Sequence, residues 1–476
     1  VASFSFNGIK KDYVYTLRGR RRPAWAPRTL NWLNVPGMPG AHLESVETSL
    51  RPYDVPIGIK AENIGDLQKI KEDLAEWLLH DEMKELIFED EPDRTYFAIV
   101  DGTFDLEELV RVGKGVITFI CDPYKYGPEK EAVFPSDVVS LNYEGTAPGD
   151  PIFELEVLQP VTFAMIQNQN DDYMMIGKPI NVVEDTAYEK ETLLLHDTCS
   201  SLTGWTNTGT VVDGVVSGDM VTNGAEFEPN SYGSSVSQWH GPAYKKSIQG
   251  GPIQDFRLET LVGFYSKNSS KYIGRVEVYL LDDQGRMVCK VALKDVYDGK
   301  STGWAEVRAG DSDINYYFVN HNENKWSSFF GVLRLTREGN KWKAYIAKVD
   351  RDTGKHHSVY KKSWTDVDNV FSRNVAQVQI HFGKRGSYNP PPMEVSDIKV
   401  YKLNPEQTNQ TPYIAQPGDV ILFEHKNKDL LINGESRKDL KDFGARYFEL
   451  EKGENTLIVH PSDSFNVSCH YRERFK

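Results

Sequence analysis

The chain has 476 residues, of which 39% are hydrophobic and 26% charged, and its formal net charge is −14. That composition excludes wholesale disorder, and the length allows about three domains of roughly 150 residues each. No apolar run approaches the ~20 residues that span a membrane, and the net acidity argues against broad neutralisation of nucleic acid.

The opening residues, VASFSFNGIKKDYVYTL, lack the basic head, apolar middle and small-residue cleavage site of a signal peptide. Asp12–Leu17, rich in Tyr and Val, reads as a strand. Lys10, Lys11, Arg18, Arg20, Arg21, Arg22 and Arg28 then form a local basic cluster. Pro23 and Pro27, with Trp25 between them, make it an ordered extended arm, and an acidic neighbouring subunit suits it better than DNA. Arg20, Arg21, Arg22 and Trp25 are therefore candidates for docking a protein partner or a second subunit.

Asn63–His80 predicts a helix. Leu67, Ile70, Leu74, Trp77 and Leu78 recur at spacings of three and four, polar residues fill the other face, and Asn63 is placed to cap the first turn. Gly115–Cys121 is a short apolar strand, and Pro123–Pro135 reads as a turn-rich break. Pro151–Leu158 and Val161–Gln167 have strand character.

From about residue 200 period-two alternation dominates. Val276, Val278 and Leu280 alternate with Glu277 and Tyr279, Trp342, Ala344 and Ile346 with Lys343 and Tyr345, and Val378, Ile380 and Phe382 with Gln377, Gln379 and His381. One apolar and one polar face predict antiparallel sheets solvated on one side, in a two-sheet sandwich or jelly roll. Asn404–Gly418 reads as a linker, followed by strands at Asp419–His425, Asp429–Asn433, Arg446–Glu451 and Asn455–His460. That tail and the strands before residue 190 are each too short for a sandwich. Together they suggest one sandwich, residues 136–189 plus 404–476, interrupted by an inserted jelly roll at 190–403, after a first domain at 1–135.

Catalytic motifs fail on inspection. Gly299–Gly303 fits G-x-S-x-G but has strand-like flanks on both sides, so it reads as a polar hairpin loop. Asp350–Gly354 superficially resembles a calcium loop, but position 361 is Lys where a bidentate Glu would stand; a β-turn is expected, with weak calcium binding as the alternative. His356 and His357 are adjacent and would face opposite sides of a strand. No E-x-D-x-x-E pair for glycoside hydrolysis occurs. Cys121, Cys199, Cys289 and Cys469 are far apart, consistent with four buried thiols in a protein made in a reducing cytoplasm. No catalytic residue, cofactor or metal is expected.

Aromatic residues concentrate in the inserted region, where flat rings beside Asn, Asp and Gln suit the apolar faces of sugars. Trp342 shares the parity of Ala344 and Ile346 and belongs to the core. Trp239 and Trp326 lie in polar, loop-like contexts and, with Tyr244 and Tyr388, are the candidate carbohydrate contacts.

Residues 1–135 resemble the N-terminal domain of the distal tail proteins of long-tailed, non-contractile bacteriophages. The resemblance is carried by FNGIKKDYVYTLRGRRRPAWAP, the Val35–Gly40 loop, RPYDVPIGI, the helix ending Trp77-Leu78-Leu79, LIFEDEPDRTYFAIVDG and VITFICDPYKYG. LLINGE…YFELEKGENTLIV is similar to the end of that family's galectin-like second domain, and HDTCSSLTGW and QWHGPAY look like an inserted carbohydrate-binding module.

The resemblance implies a mainly β chain: an N-terminal β-rich domain with one α-helix, and a galectin-like β-sandwich split by an inserted jelly roll. It also implies a homo-hexameric ring at the virion's tail tip, contacting the tail tube protein, the tail-associated hub protein and receptor-binding proteins. DNA would pass through its channel without specific binding, no membrane would be involved, and the insert would bind host cell-wall polysaccharide. The alternative is a secreted modular lectin or glycan-active protein.

Overall fold

The computed structural model describes residues 3–60, 64–104, 107–109, 112–180, 186–207, 210–234, 237–406 and 409–476. Two compact units result: Val1–Gly177 with Ala415–Leu431 and Arg437–Lys476, and Lys178–Ile414 with Ile432–Ser436. The protein is mainly β, and no helix among the described residues is long and apolar enough to cross a membrane.

In the first unit the helix spans Ile64–Leu78. Its stripe does what the spacing requires: Leu67, Leu74, Trp77 and Leu78 are buried against Phe4, Phe6, Tyr53, Ile57 and Phe119, each burial worth about 1.5–3 kcal/mol. Trp77 stacks on Phe4 with ring centroids 5.5 Å apart and donates from Nε1 to the Phe6 carbonyl at 3.0 Å. Asn63, the expected cap, lies outside the described residues.

The turn-rich break expected over Pro123–Pro135 is instead a strand, Lys125–Val133. It pairs with Phe465–Phe475, and a register shift between Tyr126 and Glu129 accommodates Gly127 and Pro128. A bulge absorbs residues that would otherwise stop a ladder. One sheet therefore runs through Val14–Thr16, Arg51–Lys60, Val112–Cys121, Thr95–Asp101, Lys125–Val133, Phe465–Phe475, Ile152–Val157 and Val420–Glu424. A second sheet holds Val138–Tyr143, Gly453–His460, Phe163–Asn168 and Tyr173–Gly177. Arg446–Glu451, expected as a strand, is irregular. Phe448 and Leu450 are buried there, but the Phe448 amide donates to His425 Nδ1 at 3.0 Å rather than to a neighbouring strand.

The second unit contains an eight-stranded and a nine-stranded antiparallel sheet among its described residues, with two short parallel pairings besides. The nine-stranded one has the order Thr206–Asn207, Ala243–Ser247, Gln377–Arg385, Gly274–Leu281, Met287–Asp295, Trp304–Gly310 and Asn315–Asn322; Trp239–Gly241 and Gly214–Val216 extend it at the Gln377–Arg385 strand. The unit's core includes Phe256 and Leu258 and, from the apolar parity read in the sequence, Val276, Val278, Leu280, Trp342, Ile380 and Phe382. The Gly299–Gly303 loop joins two paired antiparallel strands. All four cysteines are free and buried, and burial pushes the Cys289 thiol up to about 12; such thiols are poor nucleophiles.

Candidate saccharide cleft and docking surfaces

The alternation Val276–Leu280 correctly gives a strand, but its polar face is not in water. Glu277 and Tyr279 are each 1% exposed. Register explains what they meet, because directly paired residues share a face. Glu277 stands opposite His381 on one neighbour and Ala292 on the other, and Lys290 stands opposite Tyr279 and Arg308. Lys290 Nζ lies 2.5 Å from Glu277 and 3.0 Å from Glu306, Lys294 pairs with Glu306, and Arg275 Nε lies 3.2 Å from Glu277. The segment 210–213 closes over this layer. Gln379 donates to the Thr210 carbonyl at 3.3 Å, Arg275 to the Val212 carbonyl at 3.1 Å, and Arg308 pairs with Asp213 at 3.1 Å.

Glu277 and Glu306 are thus brought together from separate strands with one ammonium between them, a pairing no local motif reveals. Burial alone would raise both carboxyls; Arg275 and Lys290 hold Glu277 well below the usual range, and Lys290 and Lys294 lower Glu306. Glycoside hydrolysis needs one protonated carboxyl as general acid. These two are both ionised and locked in ion pairs, so their arrangement is structural.

Beside this layer opens a cleft of about 440 Å³ lined by Asp213, Gly214, Ser237, Gln238, Trp239 and Arg385. Trp239 pairs in register with both Gly214 and Arg385, and the Arg275 guanidinium lies 4.9 Å from the centre of its ring. Of the four aromatic residues singled out by sequence, Trp239 lines this cleft. Tyr388 is 39% exposed and follows Arg385 in a turn, its amide donating to the Arg385 carbonyl at 3.1 Å. Tyr244 is half-buried against the sandwich core. Trp326 cannot stack on a sugar: it is fully buried against Phe329 and donates from Nε1 to His321 Nδ1 at 3.0 Å. Its polar sequence neighbours concealed an inward-turned short helix, Asn324–Ser327.

The Asp350–Gly354 segment is a turn whose carboxylate is used internally, accepting from the Thr353 amide at 2.8 Å and its hydroxyl at 2.7 Å. A carboxylate cluster that the sequence did not suggest, Glu226, Glu228 and Glu394, has one oxygen from each residue within 4.8 Å of the others and could hold a cation. Glu394 is already engaged by Arg351 at 2.9 Å and by the Tyr265 hydroxyl at 2.8 Å.

In the basic arm near the start, two of the docking candidates are spent within the chain. Arg20 pairs with Asp90 at 2.9 Å; Arg22 pairs with Asp90 and lies 3.6 Å from Glu91, with its guanidinium 4.7 Å above Phe88. Arg21 is exposed and its backbone bridges Asp54, while Trp25 is 68% exposed. The arm leads into an isolated hairpin, Arg28–Leu33 with His42–Thr48, whose Leu30, Trp32, Leu33, Leu43 and Val46 are all exposed.

Comparison with known proteins follows this division. A family model described as phage tail protein RIFT-related domain matches residues 10–121, and one described as siphovirus-type tail component, C-terminal domain, matches residues 390–475. No curated protein sequence matches the chain. Among solved structures, the CBM2 module of the Lactobacillus casei BL23 phage J-1 evolved Dit is 17% identical, covering 46% of this chain and 100% of its own, with a TM-score of 0.40. The Dit protein of phage SPP1 is 20% identical, covering 37% and 75%, with a TM-score of 0.33. A lectin from Bauhinia forficata in complex with GalNAc is 9% identical, covering 45% and 98%, with a TM-score of 0.30. At both its ends the chain is therefore similar to phage tail proteins. More narrowly, the match over residues 390–475 is to the siphovirus tail component, of the distal-tail, or Dit, type.

Proposed function

We propose that this chain is the hexameric hub that joins the tail tube to the host-adsorption apparatus. The observation that carries the reading is the Arg28–Thr48 hairpin. A two-stranded ribbon is marginal on its own in water, and this one exposes Trp32 by 52% and Leu33 and Leu43 by 51% each. Such a patch fits burial against a second copy of the chain, and Trp25 and Arg21 flank it. Native mass by light scattering, with negative-stain imaging of the same peak, tests the reading: a sixfold ring with a central channel is expected, and a monomer at every concentration overturns it.

The domain reading accompanies it: residues 1–135 as the ring-forming domain, 136–189 plus 404–476 as a galectin-like sandwich, and 190–403 as an inserted carbohydrate-binding module. Pairing of Ile152–Val157 with Val420–Glu424 and Phe465–Phe475, and of Val138–Tyr143 with Gly453–His460, supports a sandwich built from both sides of the insert. The insert's function is adhesion to host-surface glycan, supported by the cleft at Trp239. Tail tube, tail-associated hub protein and receptor-binding proteins are its partners in the virion. Retention of the full chain on host cell walls, lost on Trp239→Ala, is the expected outcome.

A further inference from the structure

Resting on the glycan-binding reading, we infer that the Trp239 cleft takes a saccharide carrying an anionic substituent, a phosphate or a carboxylate. The argument is one of uncompensated charge. Three guanidinium groups belong to the cleft or its floor. Arg275 is matched by Glu277 at 3.2 Å and Arg308 by Asp213 at 3.1 Å. Asp213, the acid on the cleft wall, is thereby compensated as well. Arg385 is exposed, lines the cleft and makes no ion pair among the described residues. The cleft therefore presents one free guanidinium, a planar fork suited to two-point contact with phosphate or carboxylate.

The neighbours suit the rest of a sugar. Ser237 and Gln238 are exposed on the cleft wall, and their side chains make no hydrogen bond to the protein among the described residues, which leaves a hydroxyl and an amide for ring hydroxyls. Trp239 is half-buried and anchored by Arg275, so its position is fixed before any ligand arrives. A held ring costs little ordering on binding. Register holds Arg385 directly across from Trp239 on the adjacent strand, within reach of a substituent on a sugar stacked at that ring.

The test uses the full chain on a glycan array of matched pairs, each glycan present in neutral form and bearing phosphate or carboxylate, followed by titration calorimetry with the best pair. The charged member is expected to bind about tenfold tighter, the gain of one charge-assisted contact. Arg385→Gln should erase that preference by weakening the charged member about tenfold more than its neutral partner; Arg385→Lys should keep part of it; Trp239→Ala should abolish both. The phosphate and carboxylate arms separate the two sources of charge. Equal binding of charged and neutral members, unmoved by Arg385→Gln, overturns the anionic requirement and leaves glycan binding standing. Binding of inorganic phosphate as tightly as of the charged glycan overturns the saccharide assignment. No binding to any glycan overturns both readings.

Discussion

The polar face of the nine-stranded sheet and the Arg28–Thr48 hairpin invert the usual distribution of residues in opposite directions. In the sheet, Glu277, Lys290, Glu306, Arg308 and His381 are at most 3% exposed; in the hairpin, Trp32, Leu33 and Leu43 are more than half exposed. Buried charge is tolerable where each ion finds its partner inside the chain, and the sheet meets that condition through Lys290 and its two carboxylates. Exposed apolar surface has no such internal remedy. One region is complete within the protomer, and in the proposed ring the other is completed by a second copy.

The most direct way to break the comparison is to remove the ion at the centre of the sheet's polar layer. Lys290→Met leaves Glu277 and Glu306 buried without the charge between them, and should cost about 3–5 kcal/mol in urea unfolding of the insert. Adding Glu277→Gln should recover part of that loss, because the two side chains are directly coupled. A full recovery by Glu277→Gln would mean that Lys290 serves that carboxylate alone. Trp326→Ala should be comparable, about 3–5 kcal/mol, as expected of a core residue and not of a ligand contact.

Acid should erode the same layer. Burial pushes His381 down to about 4, against an ordinary imidazole value of 6.5. Between those values the unfolded chain takes up a proton that the folded chain refuses, so stability falls as pH drops from about 6.5 to 4, by about 3 kcal/mol. Glu277 and Glu306 act in the same sense at lower pH. Their folded carboxyls are depressed, so their contribution is present above the ordinary carboxylate range and is lost as pH falls through the folded values. Melting temperature against pH, with and without His381→Gln, checks the first part: the variant should show a shallower slope between pH 6.5 and 4.

These contrasts also mark where the sequence is legible. The helix was readable because its stripe is local, and the strands at Val276–Leu280 and Val378–Phe382 because alternation is local. What covers the polar parity is not local. Glu277 meets Lys290 and His381 across strand pairings, and alternation looks the same whether the second face meets water or a partner of opposite charge. Lys125–Val133 was lost because Gly127 and Pro128 resemble a break, and the bulge that accommodates them depends on Phe465–Phe475, over three hundred residues away. The Val35–Gly40 turn was visible, but its flanking strands mix polar and apolar residues without a core-facing parity. Trp239 lines the cleft and Trp326 is buried in the core, although both sit among polar residues in the sequence, and Arg385 carries no pattern because it is an isolated Arg.

The smallest expected effect on stability is also the sharpest test of the hairpin. Trp32→Ser with Leu43→Ser should change the unfolding free energy of the protomer by no more than about 0.5 kcal/mol, the usual range for surface positions. Each side chain is already half in water and packs into no core. The same double variant should abolish the sixfold ring in light scattering, because aromatic and aliphatic anchors dominate interface energy. Trp25→Ala, on the neighbouring arm, should leave stability equally untouched and weaken the ring less, since one anchor is removed rather than two. If the double variant instead lowered protomer stability by several kcal/mol and left the ring intact, the hairpin would be an internal element of the fold. Assembly would then have to be sought on other surfaces of the first unit, where Val116, 48% exposed in the middle of the Val112–Cys121 strand, is the next apolar side chain to change.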